Sequence, residues 1–93
     1  MKSLNYIKKI KVKRTSDFYP SQWEGTTDDG RVIYLRYRWG RLHIGIGKDL
    51  SEAINNKILI YESNDPWDGY MSDEEMSEII KEKAGVDVEV EKK

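Results

Sequence analysis

The chain has no cysteine, one histidine and two prolines among its 93 residues. Without cysteine it can form no disulfide bond and no thiolate metal site, and a lone histidine offers little for a metal centre or a nucleophilic triad. The loop after Asn64 has part of the spacing of a calcium-binding loop, but Pro66 occupies one of the ligand positions. The sequence therefore predicts no metal, no cofactor and no enzymatic activity.

Long apolar segments are missing as well. No stretch approaches the roughly 18 apolar residues of a membrane-spanning helix, and lysines interrupt the apolar positions near the N-terminus, unlike in a signal peptide. Three Trp, six Tyr and one Phe supply bulk for a core, which distinguishes the composition from that of a disordered chain. We expect one small domain over residues 1–93, located in the cytoplasm and without a membrane partner.

The net charge of −1 hides two halves of opposite sign. Residues 1–48 contain 11 Lys and Arg against four Asp and Glu, whereas residues 49–93 contain five against 13. The simpler interpretation is that the two halves pack together and partly neutralise each other. The alternative is a dipolar surface whose basic or acidic region attracts a partner of opposite charge.

The segment RVIYLRYRWGRLHIGIG alternates apolar and polar residues, which predicts two strands over about 31–38 and 41–47 around a Trp39-Gly40 turn. In this register the apolar residues pair with one another on one face. The predicted core pairs are Ile33 with Ile46, Leu35 with Ile44, and Tyr37 with Leu42. The predicted pairs on the other face are Arg38 with Arg41, Arg36 with His43, and Tyr34 with Gly45.

A strand over about 22–27 precedes this hairpin and continues the meander. A two-residue turn would place Glu24 opposite Leu35 on the core face. A three-residue turn pairs Trp23 with Leu35 instead, and places Gly30 at the left-handed position that such turns require. Because a shift of one residue moves every side chain to the other face, we predict the second register.

Further elements flank the meander. Residues 6–14 alternate lysines with Ile10 and Val12 and favour a strand, although a helical stripe through Ile7 fits the same segment. Residues 57–63 predict an apolar strand. The alternating tail VDVEVEKK predicts an edge strand, whose acids would complement the lysines of the first strand if the two were neighbours.

Two helices are predicted from their N-terminal capping patterns. Asp49 and Ser72 are each followed by a glutamate three residues later, as in a capping box. The first pattern predicts a short helix over about 50–55 with Leu50, Ala53 and Ile54 inward. The second predicts a helix over about 73–84 with Met76, Ile79 and Ile80 on one face, ending at Gly85. The expected fold is α+β, a single small domain with an antiparallel β-meander sheet of about five strands and one main helix packed on one face.

The polar face of the hairpin is the clearest candidate site for binding an anion or a nucleic acid. Its members are Tyr34, Arg36, Arg38, Arg41 and His43. Arginines grip phosphate or carboxylate with two hydrogen bonds, and Tyr34 could stack on a base. The simpler interpretation is that Glu24, diagonal to Arg36, neutralises the face internally. No RNP-type aromatic motif, GXXG loop or zinc knuckle identifies a nucleic-acid-binding family.

Three aromatic residues outside the strands form a second candidate site, for binding a protein. Trp39, at the turn, either packs over the sheet edge or projects as a binding anchor. Trp67 and Tyr70 lie in an acidic loop, where Trp67 either caps the core or joins Tyr70 in a surface for a basic partner.

Two functions follow from these patterns. The first is a small non-catalytic binding protein that holds nucleic acid or another polyanion on its basic sheet face. The second is a protein–protein interaction module or inhibitor, such as a phage-type antagonist, that docks a basic partner through its acidic C-terminal half. The sequence leaves the oligomeric state open.

Overall fold

The structure is a computed structural model that describes residues 7–16 and 20–91. These residues form a small α+β domain with one six-stranded sheet and two helices. The strands are β1 (Lys9–Ser16), β2 (Ser21–Thr27), β3 (Val32–Arg38), β4 (Arg41–Gly47), β5 (Ile58–Glu62) and β6 (Asp87–Glu91). The helices are α1 (Leu50–Asn55) and α2 (Asp73–Ala84). The strand order is β5-β4-β3-β2-β1-β6.

The meander follows the register predicted from side-chain alternation. Trp23 lies opposite Leu35, and all six predicted pairs of the β3–β4 hairpin are present. The predicted strand over residues 6–14 is β1, with Ile10 and Val12 buried; residue 6 itself lies outside the described residues. Alternation places both apolar side chains of each core pair on one face, so the hydrophobic effect selects this register over its neighbours.

The prediction of a purely antiparallel sheet is wrong for its last strand. β1 to β5 form the expected antiparallel meander, but β6 adds beside β1 in the parallel direction. α2 spans the apolar face between β5 and β6, so the chain crosses the sheet before it reaches the far edge. The expected charge pairing holds there, because Glu89 lies 3.1 Å from Lys9 Nζ and 3.7 Å from Lys11 Nζ.

Both helices begin at the predicted caps. The side chains of Asp49 and Ser72 accept hydrogen bonds from the backbone N–H groups three residues later, and Gly85 ends α2 in the left-handed conformation at φ 69°. In α2, Met76 and Ile80 are buried in the core and Ile79 packs against it. In α1 only Ala53 is buried, whereas Leu50 is exposed, which corrects the expectation that Leu50 faces inward.

The two helices pack on opposite faces of the sheet. α2 covers the apolar face, where its buried residues join the core of Ile33, Leu35 and Ile44. α1 lies on the other face, over Gly45 and Gly47 of β4. A Cβ atom at Gly45 would lie 1.9 Å from the Ala53 carbonyl oxygen, so only glycine permits this close approach. α1 therefore covers one end of that face and leaves the end near the Trp39-Gly40 turn open.

A network around Arg14 fastens the segment between β5 and α2 to the sheet. The Arg14 guanidinium donates to Asp73 Oδ1 at 3.0 Å, to Ser21 Oγ at 3.1 Å and to the Met71 carbonyl. Trp23 Nε1 donates to the same carboxylate at 2.8 Å, and the Met71 N–H donates to Ser21 Oγ at 2.9 Å. The start of α2 is thereby fixed against β1 and β2.

Replacement of Arg14 by methionine should destabilise the fold strongly, because the Arg14 and Asp73 side chains are only 13% and 19% exposed. Removing one partner leaves a carboxylate that is poorly solvated, and we expect a loss of about 3 kcal/mol in the free energy of unfolding. Urea unfolding measures this loss as a lower midpoint with an unchanged slope.

The matched control for this substitution is Lys81→Met, which removes the exposed Lys81–Asp87 ion pair. It should change the free energy of unfolding by less than about 1 kcal/mol. Equal effects of the two substitutions would contradict a structural role for the Arg14 network.

Candidate functional site

The open end of the sheet face carries a shallow depression of about 240 Å³, which we call the cationic depression. It is lined by Arg36, Arg38, Trp39, Arg41, His43 and Lys57. Four of these residues are members of the predicted basic face. Lys57 was missed because it precedes β5, and only the pairing of β5 with β4 brings it beside His43. Trp39 was assigned to the second candidate site but belongs to both.

Strand pairing determines how the charges are arranged. Arg36 lies directly opposite His43, and Arg38 lies directly opposite Arg41. Side chains in such pairs have Cβ atoms about 4.5–5.5 Å apart. On the far side of β4, Leu59 of β5 pairs with His43 and is exposed, so it gives the depression an apolar border.

The Trp39-Gly40 turn closes the depression at one end. Both residues have positive φ, 56° and 70°, as a two-residue type I′ hairpin turn requires. The left-handed conformation is uncommon for tryptophan, but backbone hydrogen bonds hold the turn: the Gly40 N–H donates to the Asp68 carbonyl and the Ser63 N–H donates to the Gly40 carbonyl, both at 2.7 Å. The backbone of the turn from which the Trp39 side chain projects is therefore held in place on both sides of Gly40.

The positive charge of the depression is only partly compensated. Arg41 pairs with Glu62 at 3.1 Å. Among the residues that the structure describes, Arg36 and Arg38 have no carboxylate oxygen within 4.0 Å, and this includes Glu24. Glu24 instead lies opposite Tyr34 in the β2–β3 pairing. Internal neutralisation through a direct Glu24–Arg36 ion pair is thus not observed.

Arg36 also has an unsatisfied donor. Its Nε atom is buried and has no hydrogen-bond partner among the described residues. A buried donor left without a partner costs about 1–3 kcal/mol, and more when the group is charged. Part of the desolvation of this guanidinium has therefore already occurred in the fold, and an anion at its remaining N–H groups would compensate the charge.

The aromatic surface beside the arginines comes from Trp39 rather than Tyr34. Tyr34 is 6% exposed and lies beneath the end of α1, with Lys57 Nζ 5.8 Å from its ring centroid. Its ring packs between the sheet and the region of α1, which leaves little surface for stacking with a ligand. Trp39 is 47% exposed, and the Arg38 guanidinium lies 5.2 Å from its ring centroid.

Only two of the three aromatic residues of the second candidate site lie together. Trp39 and Trp67 contact each other edge to face, with ring centroids 6.0 Å apart. Trp67 is 76% exposed, so it does not cap the core. Tyr70 is exposed as well, but its ring lies against the Arg14 guanidinium at 5.3 Å. The two tryptophans therefore form one exposed pair, at the border of the cationic depression.

The lysines of β1 do not extend the positive surface. Lys9 and Lys11 pair with Glu89, and Lys13 lies between Glu24 of β2 and Glu91 of β6 in the strand pairings. Two of these three lysines are thus compensated by Glu89, whereas the cations that line the depression lie on β3, on β4 and just before β5.

Within residues 7–16 and 20–91, no group of three or more His, Cys, Asp and Glu side chains could hold a metal ion. In the same part of the chain, no helix is both long and apolar enough to cross a membrane.

Comparison with protein-family models, with curated proteins and with solved structures found no match for this chain. The site must therefore be interpreted from its own chemistry.

Burial lowers the pKa of His43 below its usual value of 6.5, and the charges of Lys57, Arg41 and Arg36 lower it further. Each of these cations opposes the protonated imidazole. At neutral pH His43 is therefore an uncharged hydrogen-bonding group, and an anion placed among these cations would favour its protonation.

The single histidine makes this environment measurable by NMR. The pKa of His43 should lie below 6.5, and Lys57→Gln should raise it, whereas Lys83→Gln on α2 should leave it unchanged. Because the unfolded chain binds a proton more readily, the free energy of unfolding should fall as the pH drops through 6.5 toward the native pKa. A native pKa at or above 6.5 would mean that a carboxylate, rather than cations, dominates the surroundings of His43.

Proposed function

We propose that this protein is a non-catalytic binding protein that holds an anionic partner, most simply a nucleic acid, on the cationic depression. The observation that carries the proposal is that Arg36 and Arg38 lie side by side along β3 with no carboxylate within 4.0 Å among the described residues. Like charges in neighbouring positions destabilise a sheet. A bound anion would remove this repulsion.

The types of side chain support the same proposal. Guanidinium groups present a planar set of donors that matches phosphate oxygens, and an exposed tryptophan offers a stacking surface to a base of any sequence. Among the described residues that line the depression, no Ser, Thr or Cys accompanies His43 as a nucleophile, so we propose binding rather than catalysis.

Oligonucleotide binding at a series of salt concentrations tests this proposal. The protein should bind a mixed single- and double-stranded pool at low salt, with an affinity that falls steeply as salt rises. Arg36→Gln with Arg38→Gln should weaken binding about tenfold or more and reduce the salt slope by about 1–2, because each lost phosphate contact removes nearly one unit of slope.

The control is the pair Lys81→Gln with Lys83→Gln, which removes the same charge from α2. It should leave both the affinity and the slope almost unchanged. Absence of binding by the unmodified protein at low salt would exclude nucleic acid as the partner.

A second candidate function is the docking of another protein through Trp39 and Trp67. The observation in its favour is the exposure of Trp67, since tryptophans that remain exposed beside one another are common anchors of protein interfaces. The acidic residues Asp65 and Asp68 lie near Trp67 in sequence, which suits a basic partner.

A cross-linking and pull-down experiment with tagged protein distinguishes the two functions by which substitution abolishes capture of the partner. For a protein partner, Trp67→Ala should abolish capture, and the double arginine variant should retain it. Capture that survives Trp67→Ala but is lost in the double arginine variant would argue against this second function.

A further inference from the structure

The positive charge of the cationic depression is compact rather than extended. It is limited on the β1 and β6 side by the pairing of lysines with Glu89, and at the hairpin end by Glu62, which pairs with Arg41. α1 limits it at the remaining end, where the chain passes over Gly45. A long polyanion would leave the depression over compensated lysines toward β1, over Glu62 at the hairpin end, or over α1.

The size of the depression agrees with a small anionic group. Its volume of about 240 Å³ lies below the roughly 300–1,000 Å³ of pockets that enclose a whole drug-sized ligand. A single phosphate group fits such a space, while the remainder of its molecule extends over the border.

The charge of the lining favours a phosphate monoester over the diester of a strand interior. Arg36, Arg38 and Lys57 have no carboxylate within 4.0 Å among the described residues, and His43 adds a fourth group that can become positive. A monoester carries about −1.5 to −2 charges near neutral pH, with a second pKa near 6, whereas a diester carries a single negative charge. The higher charge compensates more of this cluster.

The position of Trp39 indicates what should be attached to the phosphate. The Arg38 guanidinium lies 5.2 Å from the Trp39 ring centroid, so a phosphate held by Arg38 is within the length of one nucleotide of that ring. Trp67 contacts Trp39 edge to face and leaves Trp39 47% exposed. The exposed part of the Trp39 ring thus lies close enough for a planar base to contact it while the phosphate occupies the depression.

We infer that the cationic depression binds the phosphate monoester of a nucleoside, either as a free mononucleotide or as the terminal phosphate of a nucleic-acid strand, with the base stacked on Trp39. This inference rests on the proposed function and restricts its ligand from anions in general to nucleoside phosphate monoesters. Arg36, Arg38 and Lys57 hold the phosphate, and His43 donates a hydrogen bond to it.

Calorimetry with three small ligands and two oligonucleotides at constant ionic strength tests the inference. AMP should bind at least tenfold more tightly than inorganic phosphate, which lacks the base, and than adenosine, which lacks the phosphate. Two single-stranded oligonucleotides of one sequence, with a terminal phosphate or a hydroxyl at the same end, complete the set. The phosphorylated strand should bind at least fivefold more tightly, at the 5′ or the 3′ end.

Variants tested in the same experiment show which side chain contacts the phosphate and which contacts the base. Arg36→Gln should remove most of the preference for AMP over adenosine, and Trp39→Leu most of the preference for AMP over inorganic phosphate. Trp67→Leu is the control for Trp39→Leu, and it should reduce AMP binding by less than about threefold because Trp39, and not Trp67, lines the depression. The urea midpoint of each variant shows that it remains folded.

The possible outcomes separate the inference from the proposed function. Equal affinity for phosphorylated and unphosphorylated strands, together with equal affinity for AMP and adenosine and a steep salt dependence, would overturn the inference and leave the proposed function intact. Preference for AMP over any oligonucleotide would support the inference with a free nucleotide as the ligand. Failure of every ligand to bind at low salt would overturn both.

Discussion

Most of the tertiary arrangement depends on the contacts that the Arg14 side chain makes. Its guanidinium joins β1, β2 and the first residue of α2, and it lies between the rings of Trp23 and Tyr70 at 4.7 and 5.3 Å. The segment that it fastens also contacts the Trp39-Gly40 turn through backbone hydrogen bonds. The same segment carries Trp67, which contacts Trp39 at the border of the cationic depression.

Side-chain alternation and local turn chemistry account for what the sequence could predict. The period of two and the left-handed glycine at Gly30, with φ 86°, determined the meander and its register, and two capping boxes located both helices. The parallel placement of β6 could not be predicted in this way, because an edge strand of alternating valines and acids fits either direction. Its direction follows from the path of α2, which is a tertiary property.

Some residues of the candidate site could be predicted from local strand pairing and others could not. Pairing across β3 and β4 placed Arg36, Arg38, Arg41 and His43 together, since these residues are neighbours through local strand contacts. The burial of Tyr34 and the contribution of Lys57 depend on α1 and β5, whose positions no local pattern describes. Gly45 is the residue that could have indicated α1, because a glycine in a strand interior often marks a close approach of another backbone.

The placement of β6 has a consequence for the order in which the domain assembles. β1 pairs with a strand from the other end of the described chain, as in the contact of Lys9 with Asp87, whereas β2 to β4 are joined by turns of a few residues. Closing a long loop costs more chain entropy than closing a short hairpin, and distant contacts slow folding. The central hairpins should therefore act as the nucleus, and the parallel ladder should form as the final cooperative step that completes the sheet.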